Sequence, residues 1–150
     1  MTGYWLILSL NEAGVLLERS SLSNINLSRS DLTSASLLKA NLCEADLSGC
    51  QLVNTNLREA DLREAGLWNA CLDGALFYKA DLNGAQLVGA SRNGTDFGSA
   101  DLKNSNMESN RSSADFTDAD LQDAINFAPL KTDIFCRTVM PNGHISNDGC

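Results

Sequence analysis

The sequence predicts an all-β fold in which short extended pieces and corners repeat along the chain. Three observations predict it. Leu or a substitute recurs every five residues from Leu22 to Met107, through Leu57, Leu62, Leu67, Leu72 and Phe77, with Arg92 as the one polar exception among 18 positions. Two residues before each lies something small, as in Ala35, Cys50, Thr55, Ala80 and Ser105. The residues after the large one are mostly Ser, Asn, Gly, Arg, Lys and Glu, which suit turns and water. A period of five fits neither a helix at 3.6 nor a long strand at 2. It fits a short strand with two inward side chains followed by a corner, small and large inward residues together filling a narrow interior.

Blocks such as ADLSG at 45–49, ADLRE at 60–64 and ADLNG at 80–84 carry a resemblance. With A-[DN]-L-x-x units over about 20–127, the chain resembles the pentapeptide-repeat proteins. That resemblance implies a right-handed quadrilateral parallel β-helix, a pentapeptide-repeat solenoid of about five coils with four units per coil, on the order of 25 Å long. The implied division is an N-terminal cap at 1–19, the β-helix at 20–127 and a C-terminal cap or tail at 128–150. The tail, with Cys136, VMPNGHISN at 139–147 and Cys150, is similar to the ending of many cyanobacterial members.

Four units per coil stack positions twenty apart. Leu37, Leu57, Phe77 and Phe97 then share one inward column, and Leu22, Leu42, Leu62, Leu82 and Leu102 a second. Leu27, Leu47, Leu67, Leu87 and Met107 make a third. The fourth runs Leu32, Leu52, Leu72 and breaks at Arg92. Clear units resume at ADF (114–116) and ADL (119–121), so one residue is missing and Arg111 stacks on Arg92. An unpaired buried guanidinium costs several kcal/mol. The simpler reading is a bulge that swings both arginines into water; the functional one is an anion-binding notch made by Arg92 and Arg111.

Outward, just before the large residue, one column reads Asn41, Asp61, Asp81, Asp101 and, after the slip, Asp120. These carboxylates either accept hydrogen bonds from turn N–H groups or form an acidic stripe for a basic partner, with Arg63 and Lys103 offsetting part of the repulsion. Trp68 with Val88, on the second face, and Leu76 with Tyr78, on the fourth, break the polar surface; they are candidate recognition residues or incidental packing.

The ends read as caps, as the open ends of a repeat require. Asn11 and the run EAGVLLER at 12–19 resemble a helix start, with Tyr4, Trp5, Leu6 and Ile7 covering the first coil, although Val15 and Leu17 also fit the five-residue register as an early strand. Pro129 is expected to stop the ladder, with Ile134, Phe135 and Met140 as apolar cover. Cys43, Cys50 and Cys71 read as thiols. Cys136 and Cys150 can close the tail as a disulfide in an oxidising compartment and stay free in a reducing one. With His144 they supply only three ligands in no common zinc pattern, so no metal and no cofactor is expected.

Lys+Arg 11 against Asp+Glu 19 gives a net charge of -8, which disfavours direct nucleic-acid or anionic-membrane contact. The longest apolar run, Tyr4 to Leu8, is far below the roughly 20 residues of a membrane span, and no basic residue precedes it. A cytoplasmic protein is expected, or a periplasmic or thylakoid-lumen one if a signal segment has been removed. No HExxH, GxSxG, P-loop or GxGxxG occurs and the only histidine lies in the tail, so no enzyme is expected. The leading expectation is a protein-interaction scaffold for an unknown protein partner, monomeric or weakly dimeric. Two alternatives stand beside it. One is an acidic DNA mimic binding DNA gyrase or another topoisomerase, a role implied by the quinolone-resistance branch of the family. The other is an inert structural rod.

Overall fold

The computed structural model describes residues 14–108 and 113–150. They form a four-sided parallel β-helix with no helix among the described residues. Four ladders of single parallel bridges run along it, each through the residue before the large inward one. Face 1 climbs Ser21, Asn41, Asp61, Asp81, Asp101, Asp120, Val139; face 2 Asn26, Asp46, Gly66, Gln86, Asn106, Ile125; face 3 Asp31, Gln51, Cys71, Ser91. Face 4 climbs Leu16, Ser36, Asn56, Leu76, Asp96, Asp115 and Ile134. Pairing extends to two residues on face 4 between β1 (Thr95–Asp96) and β2 (Ala114–Asp115).

Each five-residue unit places its backbone groups in the same way. Leu62 N–H donates up to Asp81 O at 2.7 Å, Glu64 N–H to Asn83 O at 2.9 Å, and Asp61 N–H down to Ala40 O at 3.0 Å. The corner closes by Ala65 N–H donating to Leu62 O at 3.0 Å, a four-residue turn whose third residue, Glu64, has φ 57°. That is the pattern of a type II turn, which favours Gly at this place. Here Arg, Asn, Lys, Glu and Ser occupy it at most corners, at about 1 kcal/mol each, so the ladders on both sides hold the corners in place.

The predicted columns are the core. Among the described residues, the large inward ones from Leu27 to Leu121 are at most 2% exposed, Arg92 included. Among the small inward residues, Thr55 Oγ1 donates to Leu32 O at 2.7 Å and Thr95 Oγ1 to Leu72 O at 2.8 Å, so a polar atom in the column carries its own partner. The missing residue lies where the sequence puts it: Thr95 pairs Ala114 and Asp101 pairs Asp120, nineteen apart. The coil above is shortened as well, since Asp115 pairs Ile134 and Asp120 pairs Val139. The Phe column therefore continues beyond Phe97. Phe77, Phe97, Phe116 and Phe135 stack at centroid spacings of 5.1, 5.2 and 5.6 Å, and Phe127 meets the last two edge-on.

Three expectations at the ends change, and one falls outside the described residues. Residues 14–19 are not helical: Leu16 pairs Ser36, so the early-strand reading of Val15 and Leu17 describes them. The cap proposed for 4–7 lies outside the described residues. Pro129 does not stop the ladder, because the chain loops through 128–133 and rejoins at Ile134 and Val139. Ile134 is an outward ladder residue, 39% exposed, rather than cover; Phe135 is the buried one. Beyond it β3 (Thr138–Val139) pairs antiparallel with β4 (Ile145–Ser146), which lays a reversed strand on the open edge of the last coil.

Candidate functional site

Because the interior is filled, chemistry available to a partner lies on the outside. Among the described residues, face 1 carries the longest run of ladder carboxylates. Asp61, Asp81, Asp101 and Asp120 each accept the N–H two residues on, from Arg63, Asn83, Lys103 and Gln122, at 3.0 to 3.2 Å. Asn41, one rung below Asp61, accepts Cys43 N–H in the same way at 3.1 Å. The turn thus fixes each carboxylate's orientation, and the second oxygen is left for cations. Arg63 reaches Asp61 at 2.6 Å and Asp81 at 3.7 Å, while Lys103 spans Asp101 at 3.2 Å and Asp120 at 3.0 Å. The hydrogen bond from Arg63 holds the Asp61 carboxyl below its usual range, and hydrogen bonds to Asp120 and Asp101 push the Lys103 ammonium up. Four carboxylates and two cations leave a regular face of net negative charge rather than an unrelieved acidic stripe.

The apolar candidates divide. Trp68 is 42% exposed at the corner between faces 2 and 3, and its ring lies on Gly66, where a Cβ would collide with it. That contact explains a glycine whose φ is not positive. Val88, on the same corner one coil on, is half-buried. Tyr78 is 40% exposed at the opposite corner, between faces 4 and 1, against Gly98 and under Lys79 Nζ at 5.3 Å; Leu76 is half-buried on face 4. Tyr78 therefore borders the Asp ladder, and Trp68 does not. Trp68 instead walls an open groove of about 540 Å³ with Ser28, Arg29, Asp46, Ser48, Gly49 and Asn69.

Arg92 is corrected outright. It does not swing into water: its side chain is 3% exposed and Nη1 lies 3.2 Å from Oδ1 of Asp133, itself fully buried. Its guanidinium also sits over the rings of Phe116 and Phe127, 5.2 and 5.8 Å from their centroids. Asp133 accepts two backbone N–H groups besides, from Ala114 at 2.9 Å and Leu130 at 2.8 Å. With the guanidinium so engaged, Arg92 faces an internal carboxylate rather than a solvent anion. Arg111 lies outside the described residues.

Among the cysteines, Cys136 and Cys150 form a disulfide with Cα atoms 4.8 Å apart, and Cys43, Cys50 and Cys71 are free. Cys43 and Cys71 are half-buried. Cys50 donates its S–H to Leu27 O at 2.9 Å, and burial pushes its thiol up to about 11. Iodoacetamide at pH 8 is expected to label Cys50 in the native protein at least about a hundredfold more slowly than after unfolding, since only the thiolate reacts. Peptide mass mapping of the two reactions checks it.

A family model for pentapeptide repeats matches in eight copies across residues 13–49, 44–77, 70–109 and 80–123. Comparison with curated proteins gives no significant match. Among solved structures, the pentapeptide repeat protein Rfr23 from the cyanobacterium Cyanothece 51142 is 31% identical with a TM-score of 0.65, covering 67% of this chain and 82% of that one. A pentapeptide repeat protein from the Arabidopsis thaliana thylakoid lumen is 33% identical with a TM-score of 0.51, covering 74% and 70%. QnrB1, described as a plasmid-mediated fluoroquinolone resistance protein, is 13% identical with a TM-score of 0.50 over 75% of each chain, and is alike in fold alone. The chain belongs to the pentapeptide repeat family, whose right-handed quadrilateral β-helix is the architecture described above.

Proposed function

We propose that this chain is a non-enzymatic protein-interaction module that recognises its partner with its outer faces, first of all face 1. One observation carries the reading. Asp61, Asp81, Asp101 and Asp120 are held at the ladder spacing by their own turn N–H groups, so a rigid, evenly spaced charge pattern is presented at no further ordering cost. Tyr78 adds an aromatic border to it. A filled core supports a role for the surface rather than for an internal pocket.

The test is affinity capture at low and moderate salt with the wild type and with all four aspartates changed to Asn. Asn41 does the same turn duty on this ladder, so the change removes charge and keeps the corner. The variant is expected to unfold within about 1 kcal/mol of wild type. It is expected to lose the partner at least tenfold, as the wild type does when salt rises. A partner retained by the variant but lost on Trp68→Ala would move the site to the opposite corner. Capture of nothing by any form would leave the inert-rod reading in the lead. Gyrase as the captured protein would favour the DNA-mimic reading, against which stand the cations that Arg63 and Lys103 place within the ladder.

A further inference from the structure

The last nine residues are attached by one covalent bond and a few backbone contacts, with little apolar burial. Residues 142–150 are exposed except half-buried Ser146, and Ile145, their one large apolar side chain, is 66% exposed. They hold on through the pairs Thr138 with Ser146 and Val139 with Ile145, and through three backbone donors: Phe135 N–H to Asp148 O at 2.7 Å, Met140 N–H to His144 O at 2.8 Å and Arg137 N–H to Asn147 Oδ1 at 3.3 Å. So few contacts with so little apolar burial make a segment of low local stability. The Cys136–Cys150 disulfide closes it, and closing a loop of this length contributes on the order of a hundredfold to the folded population.

The two sulfurs are unequal. Cys150 is exposed, while Cys136 is half-buried with Arg137 Nη1 3.8 Å from its Sγ. Arg137 is held there by Asp118, which it meets through Nε at 2.6 Å and Nη2 at 2.7 Å. A thiol attacks the sulfur it can reach, and the other leaves faster when its thiolate is stabilised. We propose that Cys136–Cys150 is a redox latch on the C-terminal end of the rod, opened by a dithiol that attacks Cys150, with Cys136 leaving beside Arg137. The attacking thiolate forms a mixed disulfide with Cys150 Sγ as the Cys136–Cys150 bond breaks, and Cys136 Sγ departs as a thiolate and takes a proton. The reductant's second thiol then displaces Cys150. Two electrons and two protons pass to the protein, and the reductant becomes its own disulfide. Opening frees β4 from the edge of the last coil and further exposes Phe127 and Met140, which line an open groove with Pro129, Pro141 and the tail.

The test uses the whole protein with glutathione and with dithiothreitol as probes. Brief exposure to glutathione followed by acid trapping is expected to place the adduct on Cys150; an adduct mainly on Cys136 would overturn the assigned direction. Full reduction is expected to raise amide exchange at Phe135 and Met140 by about a hundredfold and leave Leu62, Leu82 and Leu102 unchanged. Cys136→Ser with Cys150→Ser should match the reduced wild type and ignore dithiothreitol. Exchange at Phe135 and Met140 that is indifferent to reduction would overturn the latch. Arg137→Gln should slow reduction several-fold near neutral pH; an unchanged rate would remove Arg137 from the step.

Discussion

Asp133→Asn is expected to destabilise the protein by about 3–5 kcal/mol, roughly 10 °C in melting temperature, the largest effect of any single polar substitution here. The change keeps the side chain's size but removes the Asp133 charge that faces the Arg92 guanidinium at 3.2 Å, where the Arg92 side chain is 3% exposed. It also weakens the acceptor for Ala114 and Leu130 N–H, which ties the 128–133 loop to the last coils. Arg92→Leu restores the column of Leu32, Leu52 and Leu72. The pair Arg92→Leu with Asp133→Asn should therefore lose less than Asp133→Asn alone. Urea unfolding of the two singles and the double gives the coupling; additive losses would mean that the two side chains do not act as a pair.

Phe97→Ala should cost about 3–5 kcal/mol. Its ring has stacked neighbours on both sides, Phe77 at 5.1 Å and Phe116 at 5.2 Å, and it is fully buried. The backbone ladders on each side hold the coil spacing, so the space cannot close by collapse and the cavity persists. Phe97→Leu refills most of it with the residue used at Leu57 in the same column and should recover more than half of the loss. A cost below 1 kcal/mol for the alanine variant, read from equilibrium unfolding, would show that the aromatic column contributes no more than ordinary Leu packing.

The columns, the outward ladders and the shortened coil before Ala114 could all be read from the sequence, because a period of five allows one assignment of inward and outward positions. What escaped it lies where the period ends. Asp133 is 41 residues from Arg92 and belongs to no repeat, so nothing located the acid that an inward Arg requires. The inward Arg was itself the signal, since either water or a buried carboxylate would satisfy it, and the choice depends on where the 128–133 loop returns. Phe135 extends the aromatic column only once a second nineteen-residue step is allowed, and no A-[DN]-L block marks that step. On the surface, sequence identified Trp68 and Tyr78 as unusual. Their separation onto opposite corners follows from the four-ladder geometry, and the seat of Trp68 on Gly66 from side-chain packing that periodicity does not encode.

The aromatic column is confined to one half of the rod. From Leu37 to Leu57 the column is Leu; from Phe77 to Phe135 it is Phe, joined near its end by the Arg92–Asp133 pair and the Cys136–Cys150 bond. Coils in a solenoid couple only to their neighbours, so this grading gives the molecule a polarity of cohesion. Among the described coils, thermal fraying is therefore expected to start at the Leu-filled end and to advance toward the Phe-filled one, which then serves as the template on which the chain rewinds.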